Sequence, residues 1–170
     1  MMINRNPQTA SDGRHDNMLD VRLPRTWTST CFEIVNGILL LVLWVSIVFM
    51  IAMSKGKQIP IHYNFAGNPD SFGSPYWLLL LGTVDTALVV YYLIAAYRPA
   101  GMLSANVPIR NMRQVMLLSR WAYVFSIEFT VFCLTMVYGG LEQATLLFKL
   151  ALLVLVATSL GVLVLLRAYK

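Results

Sequence analysis

Four long apolar segments dominate this 170-residue chain and limit what it can fold into. An α-helix rises about 1.5 Å per residue, so roughly 20 residues cross a hydrocarbon core about 30 Å thick. The apolar segments are close to this length and lie at about 32–53, 76–97, 121–138 and 146–166. The pattern predicts an all-α integral membrane protein with four transmembrane helices.

The composition agrees with a membrane protein and argues against nucleic-acid binding. The chain is 58% hydrophobic and 12% charged, whereas a soluble domain carries roughly 25% charged residues. The formal net charge is +5, but the basic residues lie at the ends of the apolar segments and not together on one soluble face. We therefore expect a lipid bilayer, and no nucleic acid, as the environment of this chain.

The positions of lysine and arginine predict how the chain is oriented. Ten of the 13 basic residues lie before the first span, between the second and third spans, or after the fourth. Loops with such an excess of basic residues stay in the cytoplasm. Both termini are therefore expected to be cytoplasmic, and the loop 54–75 extracytoplasmic.

The same pattern divides the chain into a tail and one membrane domain. Residues 1–26 are polar and are expected to form a disordered cytoplasmic tail. Residues 27–170 are expected to form the four-helix membrane domain, with an interfacial helix at 111–120 leading into the third span. Gly139-Gly140 predicts a tight turn between the third and fourth spans.

The loop between the first two spans is rich in proline and glycine, which excludes a continued helix. We expect a rigid, turn-rich cap over the helix ends, in which Asn64 and Asp70 bond to nearby backbone groups. The alternative is a surface that binds a peptide, an ion or a protein partner, because functional residues often lie on loops held by a rigid scaffold. His62 and Asp70 alone fall short of the three or four protein ligands of a typical zinc site.

This loop also resembles a known family. Its pattern is Pro60-x-His62-Tyr63-Asn64-x-x-Gly67-x-Pro69-Asp70-x-Phe72-Gly73-Ser74. The pattern is similar to that of the membrane domain of unknown function DUF1648, which forms the N-terminal part of SdpI-type bacterial immunity and signalling proteins. Asn106-Val107-Pro108 and Arg113-Gln114 resemble the family's next loop, so the resemblance covers about Phe32 to Tyr138.

The resemblance implies a multi-pass protein of the bacterial cytoplasmic (inner) membrane with a role in immunity or signalling. By this resemblance, the candidate site in the extracytoplasmic loop consists of the residues that match the family's motif: Pro60, His62, Tyr63, Asn64, Gly67, Asp70 and Gly73. Pro75 stands where family members usually have lysine, and SdpI continues into a further membrane segment. Immunity to a toxin is therefore a weaker inference than the family itself.

Two carboxylates, Asp85 and Glu128, lie inside predicted spans. Each is roughly 13–15 Å from the predicted outer end of its helix, close to the middle of the bilayer. A charge there costs at least about 2.5–3.5 kcal/mol on insertion scales, so such residues face the bundle interior or pair with one another. Matching depths predict that the two meet across a helix interface, where one would keep its proton. Hydroxyl groups that could extend this network belong to Thr83, Thr86, Ser126 and Thr130.

These observations leave three functions open. The first is recognition of a peptide or partner by the extracytoplasmic loop, and the second is a proton- or cation-coupled transport module that uses Asp85 and Glu128. In the third, the chain is a structural subunit and its carboxyl groups are interhelical hydrogen-bond partners. No nucleophile–base pair, phosphate-binding loop or metal-ligand cluster is visible, so we expect no enzyme activity, cofactor or metal.

Overall fold

The structure, a computed structural model, describes residues 20–64, 66, 68–103, 109–138 and 144–169. These residues form helices and one β-hairpin: α1 Trp27–Ser54, β1 Ile59–Tyr63, β2 Pro69–Gly73, α2 Trp77–Ala95, α3 Pro99–Leu103, α4 Met112–Val137 and α5 Ala144–Ala168. Helices α1, α2 and α4, and α5 from Leu146 onwards, are each long and apolar enough to cross a membrane. The predicted four-helix membrane fold is confirmed.

Two helices begin earlier than predicted, and each begins with a capping box. At the start of α1, Thr26 Oγ1 accepts a hydrogen bond from Ser29 N (3.2 Å), and Ser29 Oγ accepts one from Thr26 N (2.8 Å). Asn111 and Gln114 make the equivalent pair at the start of α4. Because these pairs satisfy amide groups of the first turn, the helices start there. The expected interfacial helix at 111–120 and the third span are therefore one continuous helix.

The loop 54–75 contains more regular structure than predicted. Helix α1 ends at Ser54. The next two residues, Lys55 and Gly56, have positive φ (47° and 80°), and these left-handed conformations change the direction of the chain. Strands β1 and β2 then form a two-stranded antiparallel sheet. Proline is tolerated in these strands because both are edge strands. The predicted turn-rich loop is thus a β-hairpin for most of its length.

The bundle is organised around α4, which contacts α1, α2 and α5. We name its two ends by what lies there: the hairpin end carries β1 and β2, and the terminal end carries the start of α1 and the end of α5. One apolar cluster lies at the hairpin end and contains Leu43, Ile47, Leu78, Cys133 and Val137. A second lies at the terminal end and contains Ala100, Ile109, Val115, Leu118 and Leu166.

Part of the predicted tail contacts this terminal end. Val21 and Leu23 pack against the second cluster, and Leu23 N donates a hydrogen bond to Tyr97 O (2.9 Å). Residues 20–26 therefore follow the helix surface. Residues 1–19, the expected turn at Gly139-Gly140 and the segment Asn106–Pro108 lie outside the described residues.

Candidate functional site

The hairpin is irregular, and the irregularities determine where its polar side chains lie. Pro60 pairs with Phe72, but the next pair is His62 with Ser71, which leaves Ile61 as an extra residue in β1. The following pair is Tyr63 with Pro69, which leaves Asp70 as an extra residue in β2. Bulges of this kind bend a strand and redirect side chains. Each strand therefore carries one unpaired residue near the middle of the hairpin.

The bulge at Asp70 places its carboxyl group beside His62. His62 Nδ1 lies 2.5 Å from Asp70 Oδ1, a distance at which the two groups share a hydrogen bond. The side chains are 69% and 43% exposed, so solvent and a ligand can both reach them. These two predicted site residues are brought together by cross-strand geometry, which the sequence pattern alone did not indicate.

Asn64 closes the tip of the hairpin. Its backbone N donates to Asn68 O, and its side-chain Oδ1 accepts from Asn68 N, both at 3.0 Å. This confirms the expectation that Asn64 bonds to nearby backbone groups. The same expectation for Asp70 is not met, because the described partner of its carboxyl group is the His62 side chain. Gly67 lies outside the described residues, and for Tyr63 only the backbone is described.

The base of the hairpin rests on the helices. Ile59 packs against the hairpin-end cluster. A Cβ added at Gly73 would lie 2.8 Å from Ile61 Cδ1, so glycine permits the close approach of the two strands. The hairpin is thus seated on the bundle at Ile59.

An aromatic surface adjoins the polar pair. Phe72, one residue from Ser71, is 54% exposed. Tyr76 and Trp77, where α2 begins, are also exposed. Tyrosine and tryptophan at a helix end are typical of a membrane–water interface. Phe72 lies on the hairpin itself, so its exposure gives the hairpin an apolar contact next to a titratable pair.

The first intramembrane carboxyl group, Asp85, is fully buried between α2 and α4. The hydroxyl of Thr130 lies 3.2 Å from Asp85 Oδ1 and 3.1 Å from Oδ2. The thiol of Cys133 lies beside this carboxyl group. Among the described residues, no lysine, arginine or histidine pairs with it.

The second carboxyl group, Glu128, lies between α4 and α5. Thr158 Oγ1 donates a hydrogen bond to Glu128 Oε2 at 2.7 Å. Glu128 also lines a cavity of about 490 Å³ with otherwise mainly apolar walls, which include Val131, Leu150 and Val154.

The prediction that Asp85 and Glu128 meet is wrong. Glu128 precedes Thr130 by two residues, and two residues turn a helix by about 200°. Because Thr130 faces Asp85 on α2 and Glu128 faces Thr158 on α5, the two carboxyl groups lie on opposite sides of α4.

Of the four predicted hydroxyl partners, Thr130 alone contacts Asp85. Thr83 and Ser126 donate to the backbone carbonyls of Leu79 and Tyr123. Thr86 donates to Gly82 O and accepts from Trp44 Nε1. Cys133 was missed as a partner, although it follows Thr130 by three residues and therefore shares its helix face.

Metal binding has no support in the described part of the chain. No group of three or more histidine, cysteine, aspartate or glutamate side chains comes together there. The His62–Asp70 pair would supply two ligands at most.

Comparison with known proteins identifies one family. Residues 37–84 match a domain of unknown function, DUF1648. The match is shorter than the expected range of about Phe32 to Tyr138, and it contains most of α1, the hairpin and the first part of α2. No curated protein and no solved structure showed significant similarity to the chain. The loop motif predicted a likeness to this family, and the match over residues 37–84 confirms it.

Proposed function

We propose that this chain is a bacterial cytoplasmic-membrane protein of the SdpI-like immunity or signalling type, and that its hairpin recognises a peptide or protein partner outside the cytoplasm. The observation that carries the proposal is the exposed His62–Asp70 pair, which a β-bulge holds on a hairpin seated on the helices. The family resemblance of the same segment supports it.

The geometry suits recognition because rigidity and exposure occur together. The hydrogen bonds between Asn64 and Asn68 fix the tip, and Ile59 fixes the base. A surface that is already ordered loses little conformational entropy on binding. His62 and Asp70 supply hydrogen-bonding groups, and Phe72 supplies an apolar contact. An aromatic side chain that becomes buried on binding, with polar neighbours around it, is common at binding sites.

The hairpin also offers backbone groups for pairing. A two-stranded sheet has two open edges, and an extended peptide can add to an exposed edge as a further strand. Main-chain hydrogen bonds would supply affinity, and the side chains of His62, Asp70 and Phe72 would supply specificity.

The experiment is site-specific photo-crosslinking in the native cells. A photoreactive amino acid replaces Phe72. In the control protein the same photoreactive amino acid replaces Leu153, an exposed position on the apolar surface of α5. We expect an adduct from position 72 that is lost when His62→Ala and Asp70→Ala are introduced together. Membrane insertion of the double variant should be unchanged.

The outcomes separate the remaining functions. An adduct at position 72 that persists in the double variant, or the absence of any adduct there, would contradict recognition by the hairpin. An adduct with one protein at position 153 that does not depend on His62 or Asp70 would instead favour a structural subunit packed against another membrane protein.

A further inference from the structure

Asp85 lies at a boundary between two environments along the bundle. Towards the hairpin end, its neighbours Cys133 and Leu78 belong to the apolar cluster that also contains Leu43, Ile47 and Val137. Towards the terminal end, the buried side chains of α1 and α4 include a series of polar groups. The fully buried carboxyl group therefore has a mainly apolar region on one side, where the hydroxyls of Ser46 and Tyr138 bond to each other, and a series of polar groups on the other.

The polar groups on α4 recur at regular intervals. Ser119, Tyr123, Ser126 and Thr130 are buried and are separated by four, three and four residues. This spacing places them on one face of the helix, about 4.5–6 Å apart along its axis. Asp85 contacts the series at Thr130.

Hydroxyl groups of the series bond to backbone carbonyl groups of α4 that lie one turn nearer the terminal end. Thr130 Oγ1 lies 3.1 Å from Ser126 O, and Ser126 Oγ donates to Tyr123 O at 2.8 Å. The ring of Tyr123 lies 6.4 Å from that of Tyr97, and both side chains line the same cavity as Ser29.

At that end the series reaches charged groups and a cavity. Tyr97 donates a hydrogen bond to Glu33, which pairs with Arg25 at 2.5 Å. A cavity of about 320 Å³ is lined by Ser29, Tyr97, Ser119 and Tyr123, among others. The polar series therefore ends at a cavity that Arg120 also lines, and Tyr97 connects this cavity to the pair of Glu33 with exposed Arg25.

Asn36 supplies an independent indication that this face binds small polar species. It is 0% exposed, and its Nδ2 donates to Phe32 O at 2.9 Å. Its Oδ1 is buried and has no hydrogen-bond partner among the described residues. Asn36 follows Ser29 by seven residues and so lies on the same buried face of α1. A buried acceptor of this kind is a binding point for a water molecule.

The surroundings of Asp85 suit its neutral form. The groups that face it are the Thr130 hydroxyl and the Cys133 thiol, and no charged side chain of the described residues does so. A buried carboxylate without a cation is costly, whereas a carboxylic acid is tolerated if it is hydrogen-bonded. A protonated Asp85 can donate to Thr130 Oγ1, which then donates to Ser126 O, so that each proton has an acceptor.

We propose that Asp85 is a proton-binding site that exchanges protons with the terminal end of the bundle through the buried polar series on α1 and α4. A proton taken from solvent near Arg25 passes along hydroxyl groups and bound water to an oxygen of the Asp85 carboxylate, and it leaves by the same route. The apolar cluster closes the route towards the hairpin end. This site is distinct from the hairpin surface and does not involve Glu128.

The first test uses infrared spectroscopy of the protein in liposomes, where a protonated carboxyl group has its own carbonyl band. We expect such a band in the wild-type protein, its loss in Asp85→Asn, and its retention in the control Glu128→Gln. Asp85→Glu, which keeps a carboxyl group, should restore a band. No band in the wild-type protein, or a band that survives Asp85→Asn unchanged, would overturn the proposal.

The second test concerns the route. In deuterated buffer the band shifts as the carboxyl proton exchanges. Tyr123→Phe removes a hydroxyl from the polar series, and we expect exchange to slow several-fold. Tyr138→Phe removes a hydroxyl that bonds to Ser46 near the hairpin end, and we expect no change. Equal exchange rates in the two variants, or slower exchange in Tyr138→Phe alone, would contradict the proposed route.

Discussion

The side chain of Ile47 on α1 occupies the space next to Gly82 on α2 in which any other residue would place a side chain. A Cβ built on Gly82 would lie 2.7 Å from Ile47 Cδ1 and 3.3 Å from Trp44 Cζ2. Ile47 is fully buried in the hairpin-end cluster and has little room to move. Close approach through small residues is typical of helix pairs in membranes.

Gly82→Ala is therefore expected to destabilise the protein. Overpacking of a filled core typically costs about 1–3 kcal/mol, and here it offsets the gain in helix propensity. Gly161→Ala on α5 is the matched control, because no atom lies within 4 Å of the added Cβ. Thermal unfolding in detergent should show a lower midpoint for Gly82→Ala and an unchanged or higher midpoint for Gly161→Ala. Equal midpoints would mean that α1 and α2 are not packed as described.

The second prediction concerns Gln114, which joins the start of α4 to the end of α5. Its Oε1 accepts a hydrogen bond from Arg110 N at 2.6 Å, and its Nε2 donates to Leu166 O at 2.8 Å. Gln114→Leu keeps the volume but leaves the buried carbonyl of Leu166 without this partner, at a cost of about 1–3 kcal/mol. The free energy of unfolding should fall, and a protease should cleave the terminal end more readily.

Arg113→Ala provides the comparison for this prediction, since Arg113 is the neighbouring residue and is exposed. Substitutions at such surface positions usually change stability by less than about 0.5 kcal/mol. If Arg113→Ala destabilised the protein as much as Gln114→Leu, the hydrogen bonds of Gln114 would not be the cause.

The third prediction separates recognition from stability at the hairpin. The His62–Asp70 pair is exposed, and pairs of this kind contribute at most about 1 kcal/mol. Asp70→Asn should therefore leave the unfolding midpoint nearly unchanged while it reduces crosslinking from position 72. Asn64→Ala should instead lower the unfolding midpoint, since it removes the acceptor for Asn68 N and loosens the tip. A large loss of stability in Asp70→Asn would mean that the pair is structural.

The helices were predictable from the sequence, and the reason is physical. A bilayer demands long uninterrupted apolar segments, which leave a clear pattern. The start of α4 was harder to predict, because the arginines at 113 and 120 suggested a helix at the membrane–water interface. The capping pair of Asn111 and Gln114 was the available signal that a continuous helix begins at Met112. The structure follows this signal and not the one given by the arginines.

The strands of the hairpin could not be predicted from the sequence as the helices could. Strands are recognised by alternating apolar and polar residues and are depleted in proline and glycine, yet β1 contains Pro60 and β2 contains Pro69 and Gly73. Two bulges also break the alternation. The contact of His62 with Asp70 follows from the bulge and so could not be derived from spacing.

The wrong prediction that Glu128 meets Asp85 has a different cause. Depth alone was used to pair it with Asp85, and depth says nothing about which side of a helix a residue faces. The buried positions Tyr123, Ser126 and Thr130 follow a three–four spacing, and Glu128 does not belong to it. That spacing was the signal that would have separated the two carboxyl groups.

Both the proposed recognition and the expected positive-inside topology require the hairpin to lie outside the cytoplasm, and cysteine labelling in intact cells measures this orientation directly. In a background of Cys31→Ser and Cys133→Ala, Asn68→Cys marks the hairpin tip and Arg22→Cys marks the terminal end; both positions are exposed. A membrane-impermeant maleimide should label Asn68→Cys in intact cells and Arg22→Cys only after permeabilisation. Labelling of Arg22→Cys in intact cells, with Asn68→Cys protected until permeabilisation, would contradict the account.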